Sequence, residues 1–117
     1  MSSLPSIDLI VNDVPRAVAF FRDVVGLTVL QEFDRFGELD AGAVRILLSP
    51  DALVPVAPAA GIILHFKDAD LAAAGKRASR FGAKILGGPL TTDWGTESLF
   101  VQGPESIVVD FHRGLSV

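Results

Sequence analysis

One pattern is written twice in this chain, and it restricts the fold more than any other feature. "SIDLIVNDVPRAVAFFRDVVGL" opens with a short alternating run, Ser6 to Val11. Asn12 or Asp13 then supplies a helix N-cap, and Pro15 falls in the first helical turn, where its missing N–H costs nothing. Ala17, Phe20, Phe21, Val24 and Val25 recur at helical spacing, and Gly26 is suited to end the helix. "GIILHFKDADLAAAGKRASRFGAKI" repeats the design with a strand from Gly61 to Phe66, a cap at Asp68 and a helix ended by Gly82. Aligning Asp13 with Asp68 sets Ser6 on Gly61, Asp8 on Ile63 and Ile10 on His65.

Short β-like runs follow each helix. In the first half they are "LTVLQEF", "RFGELDAG" and "AVRILLS"; in the second, "AKILGG", "ESLFVQG" and "SIVVDFH". Matching "GAVRILL" to "SIVVDFH" position for position places Ile46 on Asp110 and Leu48 on His112. Arg45 then alternates to the face opposite Ile46 and takes no role. The Pro/Ala-rich stretch from Pro50 to Ala60 reads as a linker. The expectation is an α+β domain over residues 1–117 made of two βαβββ modules, about 4–50 and 61–113, with the linker at about 50–60.

Composition narrows the functions open to such a domain. Its 117 residues are 50% hydrophobic and 21% charged, which favours a packed globule over a disordered chain. A formal charge of −4 with no Lys/Arg cluster makes nucleic acid an unsuitable partner. With no cysteine, there is neither a thiolate metal site nor a cysteine nucleophile. The longest apolar run, Ala52 to Leu64, is interrupted by Pro55 and Pro58 and is shorter than the roughly 18–20 residues of a bilayer span. No secretory signal is visible in "MSSLPSIDL", so a cytoplasmic location and no membrane partner are expected. "GGPL" lacks the lysine and helix start of a phosphate loop and reads as a turn.

The last strand carries the residues that most need a reason. In "GPESIVVDFHR", Asp110 and His112 lie two apart among Val, Ile and Phe, and so share one face. By the same parity Ser6 and Asp8 share a face of the first strand, and His65 shares one with Ile63 in the fifth. A carboxylate and an imidazole on an apolar strand can line a reaction site, hold a ligand or simply be wet.

The paired βαβββ design resembles the vicinal oxygen chelate superfamily, which includes glyoxalase I, bleomycin- and fosfomycin-resistance proteins and extradiol dioxygenases. The resemblance rests on "VNDVPRAVAFFRDVVGL", "HFKDADLAAAGKRASRFGAKI" and "TTDWGTESLFVQGPESIVVDF", with Trp94 and Gly95 at the family's distance from Pro104. It implies a cupped mixed β-sheet, a concave cavity for a small organic molecule, and a homodimer. Many relatives also hold a divalent metal with ligands from the first and last strand of each module. Those positions carry over to Ser6, Ile46, Gly61 and Asp110, of which only Asp110 is an ordinary ligand. The inherited metal site is therefore expected to be lost, with no cofactor required.

Under the resemblance, Asp8, His65, Asp110 and His112 face the cup. Three readings stay open: metal-free binding of a small molecule, a divalent metal at a relocated site, and metal-free acid–base catalysis. Asp110 and His65 are the candidate catalytic residues, with activity of the lyase, isomerase or dioxygenase kind. Trp94, Asp8, His112, Phe33 and Ser6 are the candidate substrate-binding residues, Trp94 by stacking on a flat ligand. Each has a plainer reading. Asp110 and His112 could be solvated, His65 a satisfied core histidine, Trp94 a hydrophobic plug, and Phe33 with Phe36 core or dimer packing.

Overall fold

A computed structural model describes residues 2–57 and 61–115. The chain divides into two compact units, Met1–Ala59 and Ala60–Val117. The division falls within the linker expected from the sequence, part of which (58–60) lies outside the described residues.

Each unit repeats one topology. The first contains β1 (Ser6–Ile10), α1 (Val14–Phe20), β2 (Thr28–Phe33), β3 (Phe36–Asp40) and β4 (Arg45–Ser49). The second contains β5 (Ile63–Lys67), α2 (Leu71–Phe81), β6 (Ile85–Thr91), β7 (Thr96–Gln102) and β8 (Val108–Gly114). The sheets are ordered β1-β4-β3-β2 and β5-β8-β7-β6. The outer β1 and β5 pair in parallel with β4 and β8, and the other neighbours are antiparallel. Two four-stranded mixed sheets with two helices make an α+β fold, as the sequence pattern led us to expect.

The helices start where an aspartate can serve their free N–H groups. Asp13 accepts from Arg16 N at 3.1 Å, and Asp70 accepts from Ala73 N at 3.0 Å. The second cap is thus Asp70 and not Asp68. Asp68 stands outside the helix, accepting from Asp70 N at 2.9 Å and pairing with Arg77 at 2.8 Å. The first helix runs on through a π-helical turn, Phe21–Val25, before Gly26 closes it at φ 89°.

Matching cap to cap, Asp13 with Asp70, moves the internal alignment two residues along from Asp68. Ser6 then corresponds to Ile63 and Asp8 to His65. Gly61 lies before β5, outside the sheet. The last strands shift by one. Asp8 faces Leu47 across β1–β4, and His65 faces Asp110 across β5–β8, so Leu47 and not Ile46 is the counterpart of Asp110. Burial explains the correction, because Ile46 and Leu48 are core residues at 3% and 0% exposure. They occupy the helix-side face, as Val109 and Phe111 do in β8. A slip of one residue in a strand exchanges its two faces. Arg45 consequently shares the helix-free face with Leu47, where it pairs with Glu38 at 3.0 Å.

"GGPL" is also corrected. It belongs to β6, which pairs with β7 through two register shifts around Gly87, and Gly88 sits at φ 96°. A Cβ there would run into the Ser98 carbonyl, so a left-handed glycine lets the irregular strand stay in the sheet.

The cores lie between helix and sheet. In the first unit Val14, Ala17, Val18 and Phe21 are buried with Leu9, Leu39, Ile46 and Leu48. In the second, Leu71, Ala74 and Ala78 are buried with Leu99, Val101, Val109 and Phe111. Gly37 lets Val18 of α1 pack directly on the sheet, since a Cβ there would stand 2.5 Å from Val18 Cγ2. We expect Gly37→Ala to lower unfolding free energy in urea by about 1–3 kcal/mol, the cost of overpacking a filled core.

Candidate functional site

The site is built by the register of β5 against β8. Parallel pairing puts Ile63 beside Val108, His65 beside Asp110 and Lys67 beside His112, all on the helix-free face. On the other side of β8, Phe100 stands beside Asp110 and Ser98 beside His112. Asp110 is therefore at the centre of a sheet, with hydrogen-bonded strands on both sides.

Asp110 is 3% exposed, so the reading of it as a wet residue does not hold. Its Oδ2 lies 2.7 Å from His65 Nδ1 and 3.6 Å from His112 Nδ1. An ionised carboxylate can only accept, so in that form the hydrogen bond comes from a protonated His65 Nδ1. Nor is His65 a satisfied core histidine, for its side chain is 59% exposed. The two imidazoles meet edge to face with centroids 6.2 Å apart. Asp110 Oδ1 and His112 Nδ1 are both buried without a hydrogen-bond partner. Buried polar atoms are nearly always paired, and leaving one unpaired costs about 1–3 kcal/mol. Both such atoms belong to neighbouring positions on one face of β8.

Of the residues singled out in the sequence, the structure brings together His65, Asp110 and His112. Asp8, Ser6 and Phe33 belong to the first unit, where Asp8 is exposed opposite Leu47 and Phe33 is 62% exposed at the end of β2. Trp94 occupies the turn between β6 and β7 and is 77% exposed, which rules out the plug reading. That turn adjoins the end of β8, because Leu115 N donates to Gly95 O at 2.9 Å. Sequence reasoning missed Phe100, Ser98 and Lys67. Alternation along β7 from the buried Leu99 and Val101 would have put Phe100 and Ser98 opposite the core face.

Described residues of the second unit line a groove and a cleft. A groove of about 710 Å³ between α2 and β6–β7, lined by Leu71, Arg80, Ile85, Pro89 and Leu99 among others, is on the helix side of the sheet. A cleft of about 360 Å³ lined by Lys67, Asp68, Ala69, Arg113 and Gly114 sits at the end of β5 and β8, beside His112 in both strands' order.

The family model of the Glyoxalase/Bleomycin resistance protein/Dioxygenase superfamily matches residues 3–111, and the chain belongs to that superfamily. A solved structure described as a "conserved domain protein" is 38% identical, with TM-score 0.84 over 97% of this chain and 99% of its own. TnmS3, an antibiotic binding protein from Streptomyces sp. CB03234, is 20% identical with TM-score 0.77 over 97% of both chains. Lactoylglutathione lyase from Agrobacterium tumefaciens is 21% identical with TM-score 0.71, over 96% of this chain and 93% of its own. No protein of curated function matches the sequence. No helix among the described residues is long and apolar enough to cross a membrane.

Members of this superfamily often use a divalent metal, and the register tests whether the usual positions here would hold one. They are Ser6, Leu47, Ile63 and Asp110, with Leu47 and Ile63 replacing the Ile46 and Gly61 expected from sequence. The correction leaves the outcome unchanged: a hydroxyl, two hydrocarbons and one carboxylate do not fit a dication that wants three or four N/O donors.

A buried carboxylate with one oxygen unpartnered makes a distinctive stability signature. We expect Asp110→Val to unfold in urea within about 1 kcal/mol of the parent or above it, because an apolar side chain removes an orphaned oxygen. His65, mostly in solvent, loses little when the carboxylate goes. A loss well beyond that margin would show that Asp110 holds the sheet together instead.

Proposed function

We propose that the second unit binds a small organic molecule on the helix-free face of its sheet, anchored by His65, Asp110 and His112, with no metal at the superfamily's usual positions. The observation that carries this reading is the pair of buried, unpartnered atoms, Asp110 Oδ1 and His112 Nδ1. Around them the face carries Ile63, Val108 and Phe100, with Ser98 and Lys67 flanking His112. A few placed polar groups within an apolar lining are what a small-molecule site needs, the first for orientation and the second for affinity. His65 and Asp110 act as the polar anchor, and the exposed Trp94 stacks on a flat part of the ligand. Asp8, Ser6 and Phe33, in the first unit, are proposed as ligand-contacting residues of that unit. The antibiotic-binding description of TnmS3, whose fold is alike, agrees with a binding role for this scaffold.

The protein would act in the cytoplasm as a homodimer, with neither nucleic acid nor membrane as partner. The open edges of both sheets support pairing, β2 in particular being exposed at five of its six residues. Light scattering of the purified chain should return twice the chain mass; a monomer at micromolar concentration would remove the dimer from the proposal.

Ligand binding is tested by a thermal-shift panel of aromatic and cationic small molecules. A ligand at about a hundred times its Kd adds about 2.7 kcal/mol and raises Tm by several degrees. Asp110→Ala should abolish that shift while keeping the fold. A flat response across a broad panel, or a shift that Asp110→Ala and His65→Gln leave intact, would defeat the reading.

A further inference from the structure

We propose that His65, Asp110 and His112 form a binding site for one borderline divalent transition metal ion, of the Zn²⁺, Co²⁺ or Ni²⁺ type. The inference deepens the reading above and rests on it, because the ion would complete the polar anchor for the ligand. Each of the three residues offers one ligand atom, and these atoms all lie within 4.8 Å of one another. Donors on a common tetrahedral ion at bond lengths of about 2.0–2.2 Å stand about 3.3–3.6 Å apart, so the set must draw in by about an ångström around the ion.

The donor types select the ion. Two imidazoles and one carboxylate suit borderline first-row dications, whereas Mg²⁺ and Ca²⁺ prefer oxygen throughout. Three protein donors also leave coordination positions open for water or a ligand. A second observation, independent of the clustering, points to an occupant. Asp110, 3% exposed, has an unpartnered Oδ1, and the buried His112 Nδ1 is unpartnered as well. Only Asp110 stands at one of the superfamily's usual ligand positions. His65 lies two residues further along β5 than Ile63, and His112 two further along β8 than Asp110, each keeping its face. The same displacement on two paired strands moves the donors together along the sheet. In the first unit the corresponding places hold Asp8, Leu47 and Ser49, which cannot repeat the set.

The test uses untagged protein stripped with chelator and dialysed free of it. Titration with Zn²⁺ by calorimetry, and with Co²⁺ followed by visible absorption, should show one ion per chain with a Kd of micromolar order or tighter. Asp110→Asn, His65→Gln and His112→Gln should each weaken uptake at least tenfold, while Asp51→Asn, an exposed carboxylate in the first unit, should leave it unchanged. Asp110→Asn keeps the side chain's shape, and circular dichroism checks that each variant folds. No saturable uptake below 1 mM, or uptake that none of the three variants affects, overturns the site. The small-molecule panel run in chelator and in Zn²⁺ separates the two proposals. Ligand binding that persists in chelator without metal uptake sinks the ion alone, and metal uptake without any ligand response sinks the binding reading alone.

Discussion

Everything at the site follows from the parallel pairing of β5 with β8. Hydrogen bonds between these strands fix His65 beside Asp110, though 45 residues separate them in sequence. The antiparallel bonds of β7 hold the other side of β8 and bring Phe100 and Ser98 alongside. A carboxylate held from both sides has little freedom to turn toward water. It must find its partners among the side chains of its own face, and His65 satisfies only one of its two oxygens. The arrangement is thus held in place by the sheet and not by a loop.

The two units show what one topology can carry with different residues. Their helix sides are interchangeable in kind, a capped helix laid on buried Leu, Val and Ile. Their helix-free faces differ. Where the second unit sets His65 against Asp110, the first sets Asp8 against Leu47, leaving the carboxylate exposed with a hydrocarbon for a neighbour. Arg45 in the first unit is engaged with Glu38. Among the described residues, the group of three donors close enough to share an ion lies in the second unit.

Much of the fold was legible in the sequence because helix signals are local. Asp13, Pro15 and Gly26 bracket α1 by backbone requirements that need no tertiary context. The strands were found, but their register was not, because register is fixed by partners far away in the chain. The pairing of Ile46 with Asp110 was wrong by one residue for that reason, and one residue exchanged core for site. The choice of Asp68 over Asp70 as cap was a smaller error of the same kind. Two aspartates compete in "DAD", and the one touching the first helical apolar residue, Leu71, wins as Asp13 does before Val14. Parity did group Asp110 with His112. That His65 would lie directly across from Asp110, and that Oδ1 and Nδ1 would be left over, is a matter of ångströms that alternation cannot supply.

The strand order of the second unit bears on how the protein comes into being. β5 is translated before α2, β6 and β7, yet the strand that flanks it, β8, is translated after all of them. Until β8 is made, β5 has no hydrogen-bonded neighbour in its sheet. The pairing that assembles the polar cluster is the same one that gives β5 its hydrogen-bonded neighbour, so the site and the closure of this edge of the sheet form together.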